Sequence, residues 1–82
     1  MIQVRVLAFA RLRELLDRPE RRLALPPGAC VEDAWAALRR EHPALQAERG
    51  STRVARNGRL VSFDEALADG DELALLPPVG GG

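Results

Sequence analysis

The chain has 82 residues, 46% of them hydrophobic and 29% charged, a balance typical of one globular domain. A domain of this size buries only about two-thirds of the surface that its unfolded chain exposes, which leaves little room for a deep enclosed pocket. The twelve basic residues are all arginine and are interspersed with twelve acidic ones, so the charge pattern argues against a nucleic-acid-binding surface. No stretch is long and apolar enough to span a membrane, and a lone cysteine fits a reducing compartment, so we expect a cytoplasmic protein.

The N-terminal part of the chain predicts two strands joined by a short helix. Ile2, Val4 and Val6 alternate with polar residues, which indicates a strand with one buried face. Leucines at i, i+3 and i+4 then indicate a short helix over residues 11–16. Residues 21–25 predict a second strand, and we expect the two strands to form a hairpin around the helix.

The main helix is predicted over residues 31–41 and ends before Pro43. Cys30 stands where a capping serine or threonine is usual, so the predicted N-terminal cap is weak. The helix has one apolar stripe at i, i+3, i+4 and i+7, formed by Val31, Ala34, Trp35 and Leu38. We therefore expect Trp35 and Leu38 to be core residues without a functional role.

The second half of the chain predicts a polar loop and three short strands. Residues 46–52 are polar and are interpreted as the loop. Asn57-Gly58 between two strand-like runs is a strong hairpin signal. After a short connector over 63–67 and a turn over 69–71, residues 72–76 are apolar enough to predict a central strand.

The order of these elements describes an α+β domain over residues 1–76, with the main helix packed on one face of a sheet. Residues 77–82 form a separate tail, in which Pro77-Pro78 stiffens the exit from the sheet. The glycines that follow lack Cβ atoms, so we expect a flexible segment that can thread a narrow channel in another protein. The alternative is a frayed chain end without a function.

Side-chain chemistry is sparse in this sequence. Cys30 and His42 bracket the main helix and would lie about 18 Å apart, too far to form a nucleophile–base pair or to share a metal. Asp69 and Asp71 flank a glycine, which is usual in turns and offers too few oxygen ligands for calcium. We therefore predict no metal site, and the carboxylate of Gly82 is the candidate reactive group. Once joined to AMP, this carboxylate would become an acyl donor, and attack by a sulfur donor would leave a thiocarboxylate.

The sequence also resembles a known family. The resemblance is to the MoaD/ThiS sulfur-carrier family of ubiquitin-like β-grasp proteins, and it spans nearly the whole chain in order. It rests on Phe9-Ala10, Arg13-Glu14-Leu15, Asn57-Gly58, Val61-Ser62-Phe63-Asp64, Asp69-Gly70-Asp71-Glu72 and the terminal run Leu75-Leu76-Pro77-Pro78-Val79-Gly80-Gly81-Gly82. The resemblance implies a β-grasp fold with a mixed sheet packed against one main helix.

The resemblance further implies a sulfur carrier in molybdenum cofactor (molybdopterin) biosynthesis. An E1-like enzyme would use ATP to adenylate Gly82, and a cysteine desulfurase or rhodanese-like protein would supply sulfur. Gly80 and Gly81 would thread the large subunit of molybdopterin synthase, where the thiocarboxylate would donate sulfur to cyclic pyranopterin monophosphate. Catalytic side chains would belong to that large subunit, the assembly would be a heterotetramer, and the carrier would hold no cofactor permanently.

The partner-binding surface is expected next to the tail. Strand alternation should point at least one leucine of the last strand away from the core, and the first and last strands of a β-grasp are neighbours. An exposed apolar patch there would mark a binding site. The predicted partner-binding residues are Phe9, Arg13, Leu76, Pro77, Pro78 and Val79. The alternative is that Phe9 and the leucines of the last strand all belong to the core.

Three other functions stay open at this point. The chain could be a related carrier that serves thiazole, cysteine or tungsten-cofactor synthesis, although the short helix over 11–16 counts against a thiazole carrier. It could be a ubiquitin-like modifier joined to lysines of other proteins; with no lysine of its own, it could not form lysine-linked chains on itself. It could also be an interaction module with an incidental tail.

Overall fold

The chain folds as a five-stranded sheet with its helices on one face. The computed structural model describes residues 1–78. The elements in chain order are β1 (Ile2–Ala8), α1 (Ala10–Leu16), β2 (Glu20–Leu25), α2 (Val31–Glu41), a 3-10 segment (Pro43–Ser51), β3 (Arg53–Arg56), β4 (Arg59–Val61) and β5 (Glu72–Leu76). The predicted strands, short helix and main helix are confirmed, with bounds that differ by a residue or so.

The sheet is mixed and β5 lies at its centre. The strand order is β2-β1-β5-β3-β4, in which β1 and β5 are parallel and the other neighbours are antiparallel. Leu73 and Leu75 of β5 are buried on the face towards α2, and the pairing of β5 with both β1 and β3 confirms the predicted central strand. The predicted α+β fold of the β-grasp type is confirmed.

Helix α2 provides much of the core. Trp35 is 1% exposed and Leu38 is fully buried, so their prediction as core residues is confirmed. The Trp35 ring meets Phe63 edge to face, with ring centroids 5.9 Å apart. The sheet face beneath α2 contributes the buried residues Val4, Val6, Leu23, Leu25, Val54, Leu73 and Leu75.

The start of α2 is better capped than the sequence reasoning predicted. The backbone N–H of Cys30 donates a hydrogen bond of 2.8 Å to Oδ2 of Asp33, three residues on. It belongs to a capping box, in which the backbone N–H of Asp33 also donates to the Cys30 side chain. The cap therefore depends on Asp33 as well as on the residue at the cap position.

The prediction of a polar loop over residues 46–52 is wrong. A 3-10 segment covers Pro43–Ser51, and its Leu45 is fully buried. Arg49 lies 3.3 Å from the ring centroid of Phe63 and pairs with a carboxylate in the first turn of α2. These contacts hold a polar stretch against the core, and they come from residues distant in the sequence.

In the part of the chain that the structure describes, no helix has the length and hydropathy needed to cross a bilayer.

Candidate functional site

Strand β5 carries the chain from the centre of the sheet towards the tail. Leu76, the last residue of β5, is half-buried on the sheet face opposite α2, Pro77 is half-buried and Pro78 is exposed. Because β5 is paired with both β1 and β3, the point where the tail leaves the domain is held on two sides. Four predicted site residues lie outside the described residues: Val79, Gly80, Gly81 and Gly82.

The sheet surface opposite α2 bears a row of apolar side chains. Strand register places Leu7 beside Ala74, Ala74 beside Ala55 and Ala55 beside Leu60, so the row crosses four strands. Among residues 1–78 no helix packs against this surface, because the buried residues of all helical segments belong to the core on the other side. We call this surface the open face; it consists of Arg5, Leu7, Arg22, Arg53, Ala55, Leu60, Glu72, Ala74 and Leu76.

Phe9 lies at the tail end of the open face. It directly follows β1, and because Ala8 pairs with Leu75, Phe9 lies level with Leu76. The carbonyl of Phe9 accepts the hydrogen bond of the Leu12 N–H at the start of α1, yet its side chain is 46% exposed. The alternative that Phe9 and the β5 leucines are all core is therefore wrong.

Arg13 lies in the last turn of α1 and is exposed. Its guanidinium has no carboxylate within 4.0 Å among the residues that the structure covers. Of the six predicted partner-binding residues, the structure places Phe9, Leu76, Pro77 and Pro78 near the end of β5, with Arg13 on the adjoining helix.

Sequence reasoning missed Leu60, the most exposed leucine of the chain at 58%. The signal was available in the Asn57-Gly58 turn, because a two-residue turn pairs the residues on either side of it in order. Counting outwards from that turn pairs Ala55 with Leu60 and Val54 with Val61. Val54 faces the core, so the next residue, Ala55, faces the opposite side of the sheet. Leu60 is paired with Ala55 and must therefore also face away from the core.

The sequence predicts Asp71 only as a turn residue, but in the structure it also joins distant parts of the chain. It is only 6% exposed, and its carboxylate accepts hydrogen bonds from Arg56 Nε at 2.7 Å, Asn57 Nδ2 at 2.9 Å and the Ala68 N–H at 2.7 Å. Burial raises the pKa of the Asp71 carboxyl, but the hydrogen bonds lower it more, so its pKa lies below the usual value. Asp71 thereby ties the hairpin turn to the start of β5, far from the tail.

Cys30 and His42, the side chains that could act as nucleophile and base, lie at opposite ends of α2. Cys30 is half-buried at the start of α2 and His42 follows its end, as predicted from their spacing. Within residues 1–78 no three His, Cys, Asp or Glu side chains are grouped to hold a metal ion. The candidate site is the open face with Phe9, next to the point where residues 77–78 leave β5.

A mixed sheet with one main helix on one face and a tail leaving its central strand defines a ubiquitin-like β-grasp protein. The family model described as ThiS family matches residues 6–82. The molybdopterin synthase sulfur carrier subunit of Chlamydomonas reinhardtii is 40% identical over 99% of this chain and 100% of that protein. The chain belongs to the MoaD/ThiS family.

Solved structures of proteins with different names have the same fold. The crystal structure of small archaeal modifier protein 1 from Haloferax volcanii superposes with a TM-score of 0.86 at 37% identity, covering 96% of this chain and 100% of that one. A chain from the complex of subunits 1 and 2 of the molybdopterin-converting factor of Helicobacter pylori superposes with a TM-score of 0.67 at 27% identity. That match covers 99% of this chain and 100% of the other.

Proposed function

We propose that the chain is the sulfur carrier of molybdopterin synthase and acts through the carboxylate of Gly82. The observation that carries the proposal is the similarity over essentially the whole length to a protein named as a molybdopterin synthase sulfur carrier subunit. The structure supports it because residues 1–78 form a domain with a hydrophobic core and a sheet face that no helix covers, next to the start of the tail.

The proposed chemistry takes place at the chain's carboxylate and is catalysed by its partners. In the first step the Gly82 carboxylate attacks the α-phosphate of ATP, which forms an acyl-adenylate and releases pyrophosphate. In the second step the terminal sulfur of the donor's persulfide attacks the acyl carbon and AMP leaves, which gives an acyl disulfide. A thiol then attacks the donor's sulfur and breaks the S–S bond, so that a thiocarboxylate remains on the carrier and a disulfide forms on the donor. An E1-like enzyme would consume the ATP, and a cysteine desulfurase or rhodanese-like protein would supply the sulfur, so the carrier holds no cofactor of its own.

The thiocarboxylate then acts as a nucleophile inside a second partner, the large subunit of molybdopterin synthase. There it would donate sulfur to cyclic pyranopterin monophosphate, with Gly80 and Gly81 threading the channel and the catalytic side chains supplied by the large subunit. The named complex from Helicobacter pylori, which joins subunits 1 and 2 of a molybdopterin-converting factor, supports such a partner. The assembly would be a heterotetramer.

The open face, with Phe9, is the proposed docking surface for both partners. It offers Leu60, Leu76 and Phe9 as exposed or half-buried anchors around the apolar row, and Val79 would extend it along the tail. Apolar surface that becomes buried in this way contributes about 25 cal/mol per Å² before the costs of association are subtracted. Because one surface would serve two partners, their binding would be mutually exclusive.

The experiment that tests the function is reconstitution with an E1-like activating enzyme, ATP and a sulfur donor, followed by mass spectrometry of the carrier. We expect the mass increase that corresponds to replacement of one oxygen by sulfur, and then its loss when the large subunit and the pterin substrate are added. Deleting Gly82, or adding one residue after it, should abolish the increase and leave the circular dichroism spectrum unchanged. Undiminished sulfur transfer by either variant would refute a role for the Gly82 carboxylate.

A second candidate function is covalent modification of other proteins. It is favoured by the similarity to small archaeal modifier protein 1, 40% identical over 90% of this chain and 94% of that protein. In that case the activated Gly82 would be attacked by a lysine amine of a target instead of by sulfur. The sequence contains no lysine, so any isopeptide found on a digested conjugate must lie on another protein. Such conjugates, resistant to reducing agents and present without the pterin substrate, would favour the modifier.

A further inference from the structure

Arg53 is an exposed arginine of the open face, and within residues 1–78 it has no counter-charge in reach. Register pairs it with Leu76, and it lies two residues from Ala55 of the apolar row. Of residues 1–78, none places a carboxylate oxygen within 4.0 Å of its guanidinium, and none accepts a side-chain hydrogen bond from it. Its register partner on β5 is the apolar Leu76, so residues 1–78 offer no local partner for this charge.

Two of the other arginines nearby have a carboxylate within 4.0 Å, and a third does not. Arg5, on the same face, forms an ion pair with Glu72 and lies 4.0 Å from Glu20. Arg59, on the neighbouring strand β4, lies 4.0 Å from Glu65 and is 80% exposed. Arg22 also has no carboxylate within 4.0 Å in the described part of the chain. It lies on the edge strand β2, where its register partner is Arg5 of β1, away from Leu76.

We propose that Arg53 forms an ion pair with an acidic side chain of the large subunit when that subunit covers the open face. The proposal rests on the proposed function, since it takes the large subunit as the protein that docks there. A surface that buries Leu76 and the apolar row also removes water from Arg53, the register partner of Leu76. An arginine buried without a partner strongly opposes association. A carboxylate at that position removes this penalty.

The chemistry of the guanidinium defines the expected partner surface. Its planar arrangement of donors binds a carboxylate with two parallel hydrogen bonds, which adds geometric specificity to the charge attraction. The large subunit should therefore present an apolar centre opposite the row from Leu7 to Leu60 and an aspartate or glutamate opposite β3. The ion pair would fix how the carrier is oriented about the root of its tail, because Arg53 and Leu76 are paired neighbours.

The test compares charge reversals at matched positions. Binding of the carrier to the large subunit is measured by isothermal titration calorimetry for wild type, Arg53→Glu, Arg53→Lys, Arg22→Glu and Arg59→Glu. We expect Arg53→Glu to raise Kd at least about tenfold, because it places like charges together in a desolvated contact. Arg53→Lys should recover part of the affinity, whereas Arg59→Glu, with the same change of charge on the same hairpin, should stay within about twofold.

The controls separate the two hypotheses. Circular dichroism and the thermal transition show whether each variant is folded. If Arg53→Glu is not folded, Arg53→Gln, which removes the charge and keeps a polar side chain, takes its place. If wild type binds and transfers sulfur while Arg53→Glu and Arg59→Glu have the same effect on Kd, the ion pair at Arg53 is refuted and the carrier function stands. If wild type itself does not bind the large subunit, the proposed function fails and the inference fails with it.

Discussion

The hydrogen bonds around Asp71 make a sharp prediction, because the chain contains a matched control two residues away. Asp71 and Asp69 flank Gly70 in one turn, but only Asp71 is buried. Asp69 is exposed and accepts one hydrogen bond, from the Gln3 N–H at 2.7 Å. Changing each aspartate to asparagine removes the same charge from the same turn, so the difference between the two variants isolates burial and hydrogen bonding.

The expected magnitude follows from how the donors are divided between the two oxygens of Asp71. Arg56 Nε and the Ala68 N–H both donate to Oδ2, while Asn57 Nδ2 donates to Oδ1. An asparagine whose oxygen replaces Oδ2 turns its NH2 group towards Asn57 Nδ2, so two donors face each other. Asn57 cannot turn over to relieve this, because its own Oδ1 accepts the hydrogen bond of the Glu72 N–H at 2.9 Å.

Asp71→Asn should therefore lower the free energy of unfolding by about 2–3 kcal/mol, as a buried hydrogen bond is lost and its donor stays unsatisfied. That corresponds to a fall in Tm of roughly 10–20 °C for a domain of this size. Asp69→Asn keeps an acceptor oxygen at an exposed site and should change stability by less than about 0.5 kcal/mol. Urea unfolding followed by fluorescence of Trp35, the single tryptophan, measures both.

The pH dependence provides a second measurement on the same pair. The pKa of Asp71 is lower in the folded protein than its usual value, so its contribution is complete above that usual value and is lost as the pH falls through the folded pKa. The stability difference between wild type and Asp71→Asn should thus shrink as the pH drops below about 4. Equal destabilisation by the two asparagine variants, or a difference that grows towards acid pH, would refute the reasoning.

The remaining predictions concern the binding surface and the tail. Phe9→Ala and Leu76→Ser should weaken binding to both the activating enzyme and the large subunit, because both side chains lie at the tail end of the open face. Competition titration checks whether the surface is shared, and a stable ternary complex would contradict it. Gly81→Ile should retain the thermal stability of wild type, since β5 and the sheet end at Leu76, but should fail in adenylation or sulfur transfer because a branched side chain blocks a narrow channel. Full activity of that variant would mean that no such channel is involved.

Much of the fold could be predicted because its signals are local. The apolar stripe of α2, the Asn57-Gly58 turn and the apolar run of β5 each lie within a few residues, and periodicity or turn chemistry assigns them directly. The central position of β5 also followed from local composition, since both of its faces carry apolar residues. These three elements are enough to place the root of the tail beside the sheet centre.

The parts that could not be predicted depend on contacts between distant residues. Asp71 is buried because Arg56 and Asn57, some fifteen residues earlier, are brought to it by the hairpin. The 3-10 segment is ordered because Arg49 meets Phe63, and neither residue has a local pattern that indicates the contact. The position of Arg53 and Leu60 on the open face can be assigned only once the strand register is known.

The parallel pairing of β1 with β5 has a mechanical consequence. β1 begins at one end of the sheet and β5 finishes at the other, so tension between these two points runs along the strands and loads the hydrogen bonds between them in shear. Bonds loaded side by side must break together, whereas bonds loaded from one end open one after another. Tension between the start of β1 and the end of β5 is therefore distributed over the central strands. The domain should resist stretching up to a high force and then yield in a single step.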